Sequence, residues 1–189
     1  MKYINDNRLR AEFFGTLVLV LIGCSSIAVT AAFWSAGRIS GADAIAYVVA
    51  QFIGAFVGAL LLVIIVKGKA GGYHVADSGL GATTWGTFGV WPAIIAEFIG
   101  TTIFTLVILA TTGSKGPGAL AGLIIGLTLL ILHLAFFSVS GTSVNPARSL
   151  GPAVFVGGKA FGQVWMYLIV PTLGGLFAGW LIKSKRLDV

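Results

Sequence analysis

Charge is scarce in this chain. Asp, Glu, Lys and Arg make up 10% of its 189 residues and the mean hydropathy is +1.00, whereas soluble domains carry about 25% charged residues. That excludes an ordinary soluble domain and points to a polytopic membrane protein. Acid is scarcer still: six Asp and Glu and two His form no ligand cluster, no nucleophile–base pair and no phosphate loop, so an enzyme, a metal site and a cofactor all lack support. Cys24 is the only cysteine, which excludes an intrachain disulfide and a cysteine-based metal site. The net charge of +6 has no accompanying stretch of basic and aromatic residues of the kind that binds nucleic acid. The basic residues lie instead between hydrophobic runs, where they orient spans against lipid headgroups. Lys2, Arg8 and Arg10 precede an apolar stretch, as in a secretory leader. Glu12 at the head of that stretch, and the recurrence of its hexapeptide later in the chain, argue against that reading.

Long apolar runs are what the chain does have. Five stand out, at about 11–34, 42–66, 90–112, 118–139 and 161–182, each near the roughly 20 residues a helix needs to cross a bilayer. A sixth, at about 145–156, is too short to span. The connection 67–91, rich in Gly and Thr, reads as an extramembrane loop. Gly118, Gly122 and Gly126, Gly54 and Gly58, and Gly175 and Gly179 recur at four-residue spacing, which lets membrane helices approach closely.

The sixth run opens on Ser-Gly-Thr-Ser-Val-Asn-Pro-Ala-Arg-Ser-Leu-Gly-Pro-Ala at 140–153. An irregular, charged turn at membrane depth is tolerated only where it is buried in protein or lines a polar cavity. Asn145 is a good N-cap and Pro146 suits the first helical position, so a short helix should begin here with its positive dipole end toward the cavity. Residue spacing also shows an internal repeat. Ala-Glu-Phe-Phe-Gly-Thr at 11–16 matches Ala-Glu-Phe-Ile-Gly-Thr at 96–101 in five of six positions, and Ala28-Val29-Thr30 parallels Ala147-Arg148-Ser149. These landmarks lie 51 residues apart in the second copy and 17 in the first, so the first lacks about 34 residues, and Ser26-Ile27 stands where the second has Asn145-Pro146.

These residues, with Trp-Ser-Ala-Gly-Arg at 34–38, Val-Ala-Gln-Phe-Ile-Gly at 49–54 and Val-Pro-x-x-Gly-Gly at 170–175, resemble the bacterial members of the aquaporin (major intrinsic protein) family over nearly the whole chain. The resemblance implies an all-α membrane fold: an inverted repeat of three helices each, with a re-entrant half-helix in each repeat. Against that pattern, the second span and the first Asn-Pro-Ala half-helix are expected to be missing. About five long helices and one half-helix remain. The organisation expected is one transmembrane domain over 1–189, with a shortened first repeat at 1–68, a loop at 69–91 and an intact second repeat at 92–189.

Carried over residue by residue, Asn145 resembles the pore asparagine, with Pro146 and Ala147 shaping the turn; the bland reading is a helix cap in a loop. Arg148 resembles the arginine of the outer filter, against a headgroup-facing arginine. His133 matches the filter histidine, although a lone His on an apolar helix is often a satisfied core residue. Thr142 aligns with the filter position that contributes a backbone carbonyl. The filter's aromatic belongs to the missing span, and Leu168 lies near a place where water-selective members usually carry tryptophan. Glu97 and Glu12 resemble the glutamates that support the two re-entrant loops, and Glu12 has lost its loop. The function implied is passive water conduction across the bacterial inner membrane by a multi-pass protein, in a homotetramer. A glycerol-type facilitator of small neutral solutes, and a non-conducting remnant, are the alternatives.

Topology follows from charge. If 42–182 keeps the family orientation, Arg38 and Lys115 lie inside with the C-terminal Lys183, Lys185 and Arg186, while Lys67, Lys69 and Lys159 lie outside. Five spans would then put Lys2, Arg8 and Arg10 outside. Run 11–34 is therefore expected to be either a re-entrant hairpin, broken near Gly23-Cys24-Ser25-Ser26, or a strained span with an external N-terminus.

Overall fold

The structure is a computed structural model that describes residues 26–187. Glu12, Cys24 and the other residues before Ser26 lie outside the described residues. Seven α-helices follow: α1 (Ile27–Ser35), α2 (Gly41–Lys67), the single turn α3 (Val75–Ser78), α4 (Val90–Thr111), α5 (Ala121–Ser140), α6 (Pro146–Val156) and α7 (Gly158–Lys183). Short 3-10 turns at Gly79–Gly81 and Gly118–Leu120 follow α3 and precede α5. Among the described residues, Gly41–Lys67, Val90–Thr111, Gly118–Ser140 and Gly158–Lys183 are long and apolar enough to cross a membrane. They coincide with four of the five long runs.

Local chemistry sets the ends of these helices. Ser40 caps α2 by accepting from the Asp43 amide at 3.1 Å while donating to the Asp43 carboxylate at 2.8 Å, and Asp43 lies in the first turn, where the helix dipole favours acid. At the end of α5, Gly141 adopts a left-handed conformation, φ 73°, and its amide returns to the Phe137 carbonyl.

The two short helices differ in kind from the spans. Nine residues of α1 and eleven of α6 rise about 14 and 17 Å, roughly half of a 30 Å hydrocarbon core. Here one expectation is corrected: the first half-helix is present. Ser26 is extended, at φ −135° and ψ 130°, and helix begins at Ile27. The described part of run 11–34 is therefore a half-helix, and the expected hairpin or strained span falls on residues outside the described ones. Loss of Asn-Pro-Ala is thus not loss of the helix behind it. An extended cap and a small-residue face suffice to build that helix.

Packing explains where it sits. A methyl group on Gly175 would collide with the Ala28 carbonyl, and one on Gly179 with the Ala32 carbonyl. Backbone of α1 therefore lies directly on α7, and Ser35 Oγ donates to the Leu176 carbonyl at 2.8 Å. On the other side, a methyl on Gly151 of α6 would lie 2.7 Å from the Ala55 carbonyl of α2. Each half-helix thus packs on the last span of the other repeat, which is the reciprocity an inverted repeat produces. Gln51 of α2 reaches back to Thr30 of α1 through Nε2–Oγ1 at 3.0 Å.

The alternation of the four spans puts Arg38, Lys115, Lys183, Lys185 and Arg186 on one side and Lys67, Lys69 and Lys159 on the other. The first side holds the larger share of basic residues, which the positive-inside rule associates with the cytoplasm. α1 runs toward this side from the membrane interior, and Arg38 just beyond donates to the Leu109 carbonyl near the end of α4 at 2.7 Å.

Candidate functional site

The N-termini of α1 and α6 meet. Asn145 Oδ1 accepts from Ala147 N of its own helix at 3.1 Å and from Ile27 N, the first amide of the opposing helix, at 3.4 Å. One side-chain carbonyl caps both half-helices. Ser26 makes no side-chain cap on its own helix; its hydroxyl crosses the junction to the Val144 carbonyl at 2.9 Å. Ile27 provides the donor that a proline could not. Both helix ends carry partial positive charge, and both are aimed at this junction.

The loop feeding α6 is held by Glu97, which is 1% exposed. Its Oε1 accepts from Ser140 Oγ at 2.7 Å and Ser143 N at 2.7 Å, and its Oε2 accepts from Val144 N at 2.9 Å. Ser140 Oγ in turn accepts from Thr142 N at 3.2 Å, and the Ser140 carbonyl accepts from Tyr167 Oη at 2.7 Å. The restraint is needed because Thr142 and Val144, both β-branched, have φ of 44° and 45°, a region such residues rarely enter. Thr142 is buried, with no partner for its hydroxyl.

Arg148, in the first turn of α6, is only partly buried and donates through Nη1 to the Gly81 carbonyl at 2.7 Å. The long connection therefore does more than bridge spans. Leu80 and Thr83 are 3% exposed, and Thr83 Oγ1 donates to Ser149 Oγ at 2.7 Å, which ties the loop to the half-helix at two points. Its His74 is exposed.

A family model described as Major intrinsic protein matches residues 27–182. The chain belongs to the major intrinsic protein family. It is 34% identical over 220 aligned positions to Aquaporin Z of Rhodopseudomonas palustris, covering 93% of this chain and 92% of the relative. Aquaporin Z of Bradyrhizobium diazoefficiens is 40% identical over 156 positions, covering 80% and 65% of the two chains. The first alignment is longer than the 189 residues here, so that relative contains residues with no counterpart in this chain. Among solved structures, the aquaglyceroporin from Plasmodium falciparum superposes with a TM-score of 0.74 at 25% identity, over 93% of this chain and 78% of that one. Fold and relatives make the chain an aquaporin-type channel protein with several membrane spans.

Within that family frame, the structure brings Glu97, Thr142, Asn145, Pro146, Ala147 and Arg148 into one continuous region around the start of α6. His133 lies on α5, two turns before its end, and is partly buried. Its Nδ1 is 2.8 Å from the Leu129 carbonyl; a carbonyl only accepts, so Nδ1 carries the proton. Sequence reasoning did not single out Thr83, Ser143, Ser149 or Tyr167. Serine and threonine in helices and loops carry no spacing signal; only the three-dimensional contacts reveal them.

Proposed function

We propose that the chain conducts water passively, along a path lined by His133, Thr142, Asn145 and Arg148. The observation that carries this reading is the junction at Asn145, where two half-helix N-termini converge on one amide. Converging positive dipole ends and the fixed guanidinium of Arg148 disfavour cations, so a neutral solute fits. The likeness to Aquaporin Z relatives supports water as that solute. The non-conducting remnant reading rests on the missing span and half-helix; the N-terminus of α1 at the junction supports conduction over it. A glycerol-type path is the second reading, favoured by the likeness to an aquaglyceroporin and by the absence of the filter aromatic. The family resemblance further supports a homotetramer in the bacterial inner membrane, with lipid and neighbouring subunits covering the exposed apolar face of α5.

Stopped-flow light scattering of proteoliposomes separates the readings. Water flux above that of empty liposomes with little glycerol uptake supports the water channel. Comparable glycerol uptake supports the facilitator, and no excess of either from folded protein supports the remnant.

A further inference from the structure

Four buried hydroxyl and backbone groups run in line from the outer loop to the junction. Ser143 Oγ donates to the Asn145 carbonyl at 2.8 Å. A hydroxyl has one proton to give, so in the 2.6 Å contact between Ser143 and Ser149 the donor must be Ser149. With Ser149's proton committed, the 2.7 Å bond from Thr83 Oγ1 to Ser149 Oγ runs inward as well. Every proton in the chain is thereby assigned: Thr83 to Ser149 to Ser143 to the Asn145 carbonyl. Ser143 Oγ also accepts from Asn145 N at 3.2 Å, so it grips both backbone groups of the residue that caps the two half-helices. All four residues are at most 3% exposed, where such chains strengthen cooperatively and a missing member is costly.

We infer that Thr83 is a positioning residue of the conduction path, holding the Asn145 backbone in place through Ser149 and Ser143. The assignment rests on the proposed channel function only for its transport consequence. Thr83 lies two residues beyond Gly81, which holds Arg148, so one loop steadies both the filter arginine and the junction asparagine by separate bonds. Thr83→Val keeps the shape and removes the proton that starts the chain; Thr83→Ser keeps that proton.

The test pairs a transport measurement with one that needs no transport. Hydrogen–deuterium exchange on protein in nanodiscs, resolved to peptides covering 140–149, is expected to speed up in Thr83→Val at the Asn145 amide. The rise should be on the order of ten-fold, the loss of one buried hydrogen bond, and Thr83→Ser should exchange like the parent. Water flux in liposomes should fall several-fold in Thr83→Val and recover in Thr83→Ser. Unchanged exchange at Asn145 in Thr83→Val overturns the inference, as does an equal defect in Thr83→Ser. If the parent conducts nothing, the channel proposal fails while the exchange measurement still decides the positioning role. Should Thr83→Val not fold, Ser149→Ala breaks the same chain one step inward and is read identically.

Discussion

Replacing Glu97 by Ala sets two consequences of the structure against each other. The substitution strips the acceptors from two buried amides, Ser143 N and Val144 N, and from the Ser140 hydroxyl. An unsatisfied buried donor costs about 1–3 kcal/mol, so the two amides alone imply roughly 2–6 kcal/mol. Against this, Thr142 and Val144 sit at positive φ, a conformation that costs on the order of 1–3 kcal/mol per residue. If the loop unwinds, that strain is released and the amides find other partners, so the stability loss shrinks. Unwinding, however, moves Thr142, Asn145 and Arg148 away from their present positions. The variant must therefore lose stability or lose selective conduction; it cannot keep both. Glu97→Gln should behave as a partial loss, because its amide group presents a donor to one of the two backbone donors. Unfolding by SDS titration and water and glycerol flux in liposomes, on the same preparations, measure the two sides. A Glu97→Ala protein with parental unfolding and parental flux refutes the reasoning.

Three further outcomes follow from the same geometry. Gly175→Val, which forces a branched side chain into the Ala28 carbonyl, should destabilise by at least the roughly 1–3 kcal/mol typical of overpacking, with Gly162→Ala, where nothing lies within 4 Å, as the neutral control; SDS titration compares them. His133→Gly removes the ring at the proposed filter and should raise glycerol permeability relative to water, read by stopped flow. The double change Ser26→Asn with Ile27→Pro removes the Ile27 amide that Asn145 accepts and restores a second side-chain amide. It should leave the fold intact and maintain or increase water flux, whereas loss of folded protein would show that the Ile27–Asn145 bond is indispensable.

The four described spans were legible because each is a long apolar run, and periodicity and length leave a bilayer as the only solvent that suits them. The start of α6 was legible for a different reason: Asn145 and Pro146 are the residues a helix start at membrane depth requires. The start of α1 was not, because Ser26 and Ile27 carry no such signature. Ser26 does not cap its own helix, and the amide of Ile27 is satisfied by a residue 118 positions away. The small residues that seat α1, Ala28 and Ala32 against Gly175 and Gly179, were visible singly, but only the packing pairs them. The bonds of Glu97 to Ser140, Ser143 and Val144 join residues more than 40 positions apart, which no local pattern encodes. The path of the 67–91 connection over Arg148 and Ser149 was invisible in the sequence, since Gly and Thr mark a turn without saying where it lands.

Two opposed half-helices, joined at Asn145, are proposed to pass a neutral solute and reject cations. Proteoliposomes loaded with a pH-sensitive dye test this most directly, with water shrinkage and proton leak recorded on the same vesicles. Water flux above empty liposomes with proton leak no greater than theirs is the predicted result. Proton leak that rises together with water flux, or folded protein that adds neither, would contradict it.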